Sequence, residues 1–281
     1  MMRVILFGAG GMVGSGIAPV LKKQYSIITP THHEIDVTNK DVVDHFIQKI
    51  HPDWIISCVG LPKVDEAQSN PTLAHLLNTK TARIISSCAK KIPFCYISTD
   101  AVFDGMQKSL AYRETDTPHP INIYGKTKLE GESYASLVVR IIMPYSFYFE
   151  KKSDFARSIV SALQNGQRYA GISDQIVNPI SIDDAANALS ILLSNQASGI
   201  YHLGATDTVS NLEFAKKIAR AFDLPETRIY PITHEIFMKG KIAPRGKYCA
   251  LDTEKFQKEF GVGILHTIDE GIRKFRAQFF S

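Results

Sequence analysis

The sequence predicts an α/β protein: a doubly wound parallel sheet, Rossmann-like, with a smaller C-terminal substrate-binding lobe. Three observations predict it. Short apolar runs alternate with longer amphipathic ones through the first half of the chain. Those runs lack apolar/polar alternation, as strands covered by helices on both faces do. A glycine-rich turn directly follows the first of them.

In chain order, RVILFG (3–8) reads as a strand and Met12 to Lys23 as a helix. YSIIT (25–29) is a second strand, followed by a helix over Lys40 to Ile50 with apolar residues at 42, 43, 46, 47 and 50. WIISCVG (54–60) is a third strand, Thr72 to Lys90 a helix, and PFCYIST (93–99) a fourth strand. A helix runs from Lys126, a strand covers Leu137–Ile142 and a helix Phe155–Gly166. Strands separated by helices imply right-handed crossovers and parallel pairing. Beyond about residue 165 the regularity fades. A short helix begins near Asp183, where Asp183 and Asp184 read as an N-cap and first-turn acids. YHLG (201–204), a helix over Asn211–Phe222 and a terminal helix from Thr267 follow. Residues 1–165, with later segments returning to them, form the expected dinucleotide-binding domain. Residues 166–281 form most of the substrate-binding lobe, the whole being one cooperative unit.

With 281 residues the chain can bury a large core. It is 44% hydrophobic and 21% charged, which is ordinary for a soluble globular protein. A net charge of +4 without a Lys/Arg cluster points away from nucleic acid and acidic membranes. The N-terminal run MMRVILFGAGG reads as strand and glycine turn rather than signal peptide. No stretch approaches the ~20 apolar residues of a membrane span. Cys58, Cys88, Cys95 and Cys249 show no C-x-x-C or metal-ligand spacing. A reducing cytoplasm fits all of this.

Gly8-Ala9-Gly10-Gly11-Met12-Val13-Gly14 joins the first strand to the first helix. Glycines at 8, 11 and 14 permit a tight turn, close approach of a pyrophosphate and close helix–strand packing. Free amides and the dipole at the helix N-terminus attract phosphate. The second strand ends at Thr31-His32-His33 without the acid that binds a ribose 2′-hydroxyl. Hydroxyls and imidazoles there tilt the expectation toward NADPH over NADH, although both histidines also read as solvated loop residues. Tyr124 and Lys128, four apart, place a phenol and an ammonium on one helix face. A neighbouring cation lowers a phenol's pKa from its usual value of about 10, toward the range where it exchanges protons. Taken alone, the same pair reads as a surface tyrosine and a solvated lysine.

Ile97-Ser98-Thr99-Asp100-Ala101-Val102-Phe103-Asp104-Gly105 sits at a strand's C-terminal end, where open α/β sheets bind ligands. Together with the glycine turn and Tyr124/Lys128, it resembles the extended short-chain dehydrogenase/reductase superfamily, and within it the dTDP-4-dehydrorhamnose reductase family. Leu77-Asn78, Tyr112-Arg113-Glu114, Asp174-Gln175 with Pro179, and Leu251 to Phe256 also match, so the resemblance spans nearly the whole chain. It implies a catalytic triad of Thr99, Tyr124 and Lys128. It implies Gly11, Met12 and Val13 at the pyrophosphate, Asp36 and Val37 near adenine, and Gly60, Leu61 and Pro62 along the cofactor. Asn78 becomes a supporting residue, and Thr99 and Asp100 touch the sugar. Asp36 also reads as a turn or cap residue, and Thr99 as a strand-end hydroxyl.

The implied reaction is NAD(P)H-dependent reduction of the 4-keto group of a nucleotide-activated 6-deoxy sugar, for surface polysaccharide. Tyr124 protonates the alkoxide, Lys128 acidifies the phenol and binds the nicotinamide ribose, and Thr99 bonds the carbonyl oxygen. Two departures narrow this. Arg140-Ile141-Ile142-Met143-Pro144-Tyr145 has methionine where rhamnose-forming members commonly carry tryptophan. Gly16 stands where some members place a glutamate that binds Mg²⁺ at a dimer interface, so no such metal site is expected. Met143 and Arg245 are the substrate-side candidates, Arg245 as a bidentate partner for a diphosphate or as a surface residue. A homodimer is compatible with the resemblance. The competing readings are a related reductase or epimerase, and a non-catalytic NADP-binding regulator like the methionine adenosyltransferase β subunit, which YRETDTPHPINIYGKTKLEGE also resembles.

Overall fold

The computed structural model describes residues 1–107, 111–146 and 154–279. Its centre is a parallel sheet of six strands: β1 (Arg3–Phe7), β2 (Ser26–Ile28), β3 (Trp54–Ser57), β4 (Phe94–Thr99), β5 (Leu137–Ile141) and, later in the chain, Gly199–Leu203. Between them lie α1 (Met12–Leu21), α2 (Lys40–Ile50), α3 (Val64–Ser69), α4 (Pro71–Ala74), α5 (Thr81–Ala89), α6 (Ile123–Glu132), α7 (Phe155–Gln164) and α8 (Ile182–Ser194). The lobe holds β6 (Tyr169–Ile172), β7 (Ile176–Val177), β9 (Val209–Ser210), β10 (Ile229–Ile232), α9 (Asn211–Ala221), α10 (His234–Met238) and α12 (Ile268–Phe279); Gly199–Leu203 is β8, and α11 (Glu254–Phe260) packs on it through Phe256 in the sheet core. The sheet order is β2-β1-β3-β4-β5-β8. Strand order therefore reverses beside β1, and the loops after β1 and β3 diverge there to open a crevice.

Alternate residues of each strand feed two separate cores. Val4, Leu6, Trp54, Ile56, Cys95 and Ile97 pack with α1 and α8. Ile5, Phe7, Ile55, Phe94 and Tyr96 pack with α2 and α5. This is why the strands read as unbroken apolar runs: both faces are dry. A third core, around Phe214, Ile218, Ile272 and Phe275, closes the lobe.

Three local readings change. The helix carrying Tyr124 begins at Ile123 rather than Lys126, because the Asn122 side chain accepts from the Gly125 amide at 2.8 Å and caps it. Tyr124 is thus held in the first turn. The helix expected over 72–90 is broken by a π turn, His75–Lys80, which projects Asn78 into the interior. The helix near Asp183 is not short. It runs 13 residues, is capped by Ser181 rather than by Asp183, and packs on α1, with Gly16 and Ile182 at the contact. A Cβ at Gly16 would stand 2.5 Å from Ile182 Cγ1, so this glycine is set by helix packing. With β8, this helix is the segment by which the chain returns to the sheet.

One buried ion pair ties α6 to the sheet. Arg140 donates from Nε and Nη2 to the two oxygens of Glu132, at 2.9 and 2.7 Å. Ser98 Oγ donates to the same carboxylate at 2.5 Å, and His202 lies 3.3 Å from Arg140 Nη1. Arg140 is 1% exposed, so removing its partner leaves an uncompensated buried charge. Glu132→Gln is expected to cost about 3–5 kcal/mol of stability, whereas the double change Glu132→Leu/Arg140→Met costs less. Urea unfolding of both variants checks this.

Candidate active site

The crevice beside β1 is made of bare backbone. Gly8 has φ +80°, and a Cβ there would stand 2.7 Å from the Cys58 carbonyl carbon, so only glycine lets the two loops approach. Gly11 donates its amide to the Gly8 carbonyl at 3.0 Å and opens α1 with no side-chain cap, leaving Met12 and Val13 in its first turn. A Cβ at Gly14 would lie 2.7 Å from Ala9 Cα and closer still to the Gly8 carbonyl oxygen. Across the crevice, Gly60 passes against Asn78, and the Leu61 amide donates to Asn78 Oδ1 at 2.8 Å. Pro62 is exposed beyond it.

Thr99, Tyr124 and Lys128 stand at the C-terminal end of β4 and in the first turns of α6, with Lys128 Nζ 3.9 Å from where a Cβ on Gly60 would stand. Thr99 ends β4 and Tyr124 opens α6, and the two side chains share the wall of one cavity. Thr99 Oγ1 also donates to Asp100 Oδ1 and accepts from the Ala101 amide, each at 3.2 Å. A Cβ at Gly125 would collide with the Ala101 carbonyl, so this glycine lets α6 seat Tyr124 beside Thr99. Lys128, one turn on, is 5% exposed and donates from Nζ to the Ile97 carbonyl at 2.6 Å.

Burial governs the electrostatics. It pushes the Tyr124 phenol up to about 12; the Thr99 hydroxyl pulls the other way and the Asp100 carboxylate adds to the rise. It draws the Lys128 ammonium down to about 7, against the opposing influence of Cys58 and Glu132. It lifts Asp100 to about 7. The expectation that Lys128 acidifies Tyr124 is corrected here. The ammonium is engaged by a main-chain carbonyl and an aromatic ring, and desolvation outweighs its influence on the phenol.

Thr99, Asp100, Tyr124, Met143 and Arg245 all line one cavity of about 360 Å³. Met143 follows β5 with φ +38°, a left-handed conformation rare for a branchless apolar side chain and held here at the cavity wall. Arg245 reaches the wall from the far lobe. Its Nη2 lies 2.9 Å from Asp65 Oδ2 on α3, and that carboxyl is held down to about 2, first by the Arg245 bond. A broader groove of about 620 Å³ runs beside β8, lined by Arg113, Asp252, Glu254 and Lys258. Its charges pair with one another, as in Lys258–Glu254 at 2.8 Å, and it holds none of the Thr99/Tyr124/Lys128 set.

Other expected residues fall elsewhere. Asp36 is exposed and accepts from the Thr38 amide and hydroxyl at 2.9 and 2.7 Å, the turn role that the sequence also allowed, while Val37 packs on the sheet core. Phe155, Tyr169, Asn211, Phe237 and Tyr248 line the cavity without having been singled out. The aromatic ones carry no sequence signal beyond their type, and Asn211 reads only as the start of a helix. Asn122, read from the structure as a cap, also donates to the Pro244 carbonyl at 2.9 Å and closes one side of the cavity.

A model of the RmlD substrate binding domain matches residues 2–279. The chain belongs to the RmlD substrate binding domain family. Among family relatives, the dTDP-4-dehydrorhamnose reductase of Aggregatibacter actinomycetemcomitans is 30% identical over 93% of this chain and 94% of that protein. The methionine adenosyltransferase 2 subunit beta of Xenopus laevis is also 30% identical, over 97% of this chain and 86% of its own. Among solved structures, dTDP-4-dehydrorhamnose reductase from Bacillus anthracis in complex with NADP superposes with a TM-score of 0.91 at 29% identity, covering 99% and 100% of the two chains. The family thus includes both reductases and a subunit named for another enzyme, and the site has to decide between them.

The glycine geometry is directly testable. Gly14→Ala forces backbone apart and is expected to cost about 1–3 kcal/mol. Gly10→Ala, whose Cβ would meet nothing within 4 Å, is expected to stay within about 0.5 kcal/mol of the parent. Thermal unfolding of the two variants side by side makes the comparison.

Proposed function

We propose that this protein is an NAD(P)H-dependent reductase of the 4-keto group of a nucleotide-activated 6-deoxy sugar, of the dTDP-4-dehydrorhamnose type. The observation that carries the reading is that Thr99 and Tyr124 stand together on the wall of one cavity of about 360 Å³, with Lys128 one turn further along α6. Retention of all three, with Thr99 and Tyr124 open to a cavity, favours catalysis over a purely regulatory role.

The crevice residues fit a dinucleotide. At Gly8, Gly14 and Gly60 a Cβ would collide with neighbouring atoms, so only glycine lets the turn close; Gly10 faces open space, and the uncapped α1 amides offer donors to a pyrophosphate. A nicotinamide cofactor supplies the hydride. Gly11, Met12 and Val13 would hold its pyrophosphate, and Gly60 and Leu61 would border it after β3. Thr31, His32 and His33 face the end of the adenosine half and favour NADPH. The two imidazoles lie 3.9 Å apart, and the nearby Glu34 carboxylate is tied to the Thr31 amide and hydroxyl.

The chain's own residues then act on the ketone. The Thr99 hydroxyl donates to the carbonyl oxygen as negative charge grows there. Tyr124 transfers its proton to the same oxygen. Its raised pKa keeps the phenol protonated at neutral pH until that oxygen becomes alkoxide-like and more basic than a phenolate. Asp100, near half-protonation at neutral pH, hydrogen-bonds sugar hydroxyls. Arg245 turns from Asp65 toward the diphosphate, and Met143 packs on the sugar ring without an indole donor.

NADPH and NADH oxidation against dTDP-, UDP- and GDP-4-keto sugars tests the reading. Turnover of at least one is expected, and Tyr124→Phe is expected to lower kcat by about 10²–10⁴-fold. No oxidation with any keto sugar, together with capture of a stable protein partner, would establish the regulatory reading instead. For the cofactor, Thr31→Asp is expected to shift preference from NADPH toward NADH, read as the ratio of the two dissociation constants.

A further inference from the structure

Lys128 is the least exposed lysine of the site, and what surrounds it is unusual for an ammonium. Its Nζ donates to the Ile97 carbonyl at 2.6 Å and lies 3.9 Å from the centroid of the Tyr96 ring. Tyr96 is itself fully buried in β4, where strand alternation points it to the α2/α5 face rather than to the cavity. A core position there needs only an apolar residue. Tyr96 instead carries a hydroxyl, which donates to the main-chain carbonyl of Asn78 at 2.7 Å. That carbonyl belongs to the π turn, His75–Lys80.

Two further features hold this arrangement. The Asn78 side chain is engaged at both ends, accepting from the Leu61 amide at 2.8 Å and donating to Thr127 Oγ1 at 2.9 Å. Gly131, three residues after Lys128 on α6, has no side chain because a Cβ would stand 2.6 Å from both the Tyr96 hydroxyl and the Asn78 carbonyl. The helix can therefore lie close enough for Lys128 to reach across the ring. The tyrosine hydroxyl fixes the ring to the π turn, and the ring face meets the ammonium. On its open side, Lys128 Nζ is 3.9 Å from where a Cβ on Gly60 would stand, so the free direction of the ammonium is toward the cofactor crevice.

We propose that Tyr96 is the positioning residue for Lys128: its π face keeps the buried lysine charged and aimed at the crevice, and its bond to Asn78 holds that face in place. The proposal rests on the cofactor role given to Lys128 above. A ring quadrupole stabilises a cation most strongly where water is excluded, as it is here. The groups around Lys128 define what else bears on its charge. They are the Cys58 thiol from the end of β3, the Glu132 carboxylate and Tyr124 phenol from its own helix, and Tyr96 from β4. Glu132 is bidentate with Arg140, and the Cys58 thiol is pushed up to about 12, so neither offers a free anion at neutral pH. Burial already draws the lysine down to about 7. Loss of the ring thus has a readable consequence: a stabiliser of the charged form disappears, so the lysine deprotonates at lower pH.

The test measures the titration midpoint of Lys128 in the cofactor-free full chain, by competitive amine labelling across pH with mass-spectrometric readout. NADPH affinity is followed by fluorescence over the same range. Tyr96→Leu is expected to lower the Lys128 midpoint by about one pH unit, and NADPH binding to weaken at correspondingly lower pH. Tyr96→Phe keeps the ring and is expected to keep the midpoint within a few tenths of a unit, while losing thermal stability through the orphaned Asn78 carbonyl. Phenylalanines of increasing ring fluorination at position 96 preserve shape and remove the quadrupole stepwise. They are expected to lower the midpoint stepwise, which keeps the test open if Tyr96→Leu does not fold. A midpoint indifferent to ring fluorination, or one that falls equally in Tyr96→Phe and Tyr96→Leu, overturns the proposal. A midpoint that moves with the ring supports it whether or not any keto sugar is reduced. If the NADPH curve then fails to follow, what falls is the cofactor role of Lys128.

Discussion

The site depends on one buried interaction, the bidentate pair between Glu132 on α6 and Arg140 on β5. Tyr124, Lys128 and Glu132 occupy successive turns of one helix face, so anchoring the last of them fixes the approach of the other two. The carboxylate is further bonded by Ser98, next to Thr99, and the guanidinium abuts His202 on β8. Three neighbouring strands and α6 thereby share one polar network within a dry core. Such a network adds little net stability over a hydrophobic equivalent, but it admits few alternative registers. Register is what placing a phenol beside Thr99 requires.

The cavity roof is held by a different kind of contact. Arg245 reaches Asp65 on α3, Asn122 reaches the Pro244 carbonyl, and Gln175 Nε2 donates to the Gly246 carbonyl at 3.0 Å. Gly105, with φ +71°, runs against Gly246, and a Cβ there would stand 2.8 Å from the Lys247 amide. These bonds stitch residues 243–247 to α3, to the start of α6 and to the segment joining β6 and β7, so the aromatic side chains there meet Thr99 and Tyr124 across a defined gap. Main-chain acceptors give direction, and the Asp65 carboxylate keeps the arginine extended toward the cavity.

Desolvation, more than pairwise charge, sets the chemistry within that gap. Spacing alone suggested an ammonium that acidifies a phenol four residues away. In the folded protein the lysine is buried and the phenol half-buried, and desolvation penalises each charged form separately. The phenol holds its proton more tightly and the lysine more loosely. For the proposed reduction this would be the useful arrangement, because a proton donor must stay protonated until the oxygen demands the proton. Lys128 then needs help to remain charged, and a main-chain carbonyl and an aromatic face are the neutral groups placed to give it.

Much of this was legible in the sequence. Apolar runs without alternation meant a sheet covered on both faces, since each strand sends alternate residues to two dry cores. Gly8 and Gly14 meant a phosphate-type turn, because their backbone approaches exclude a Cβ. Thr99, Tyr124 and Lys128 were marked by motif and spacing, which local chain geometry preserves. What was not legible depended on partners distant in sequence. Gly131 and Tyr96 look unremarkable until the π turn brings Asn78 between them. Arg245 has no visible partner until α3 delivers Asp65, 180 residues earlier. Phe237 and Tyr248 carry no periodicity to flag them. The sequence by itself determined the elements and the parallel sheet, because these follow from local periodicity and steric exclusion. Only the tertiary structure decided how the Tyr124 and Lys128 side chains are charged and what they face, because solvent exclusion and long-range contacts exist only after the chain has folded.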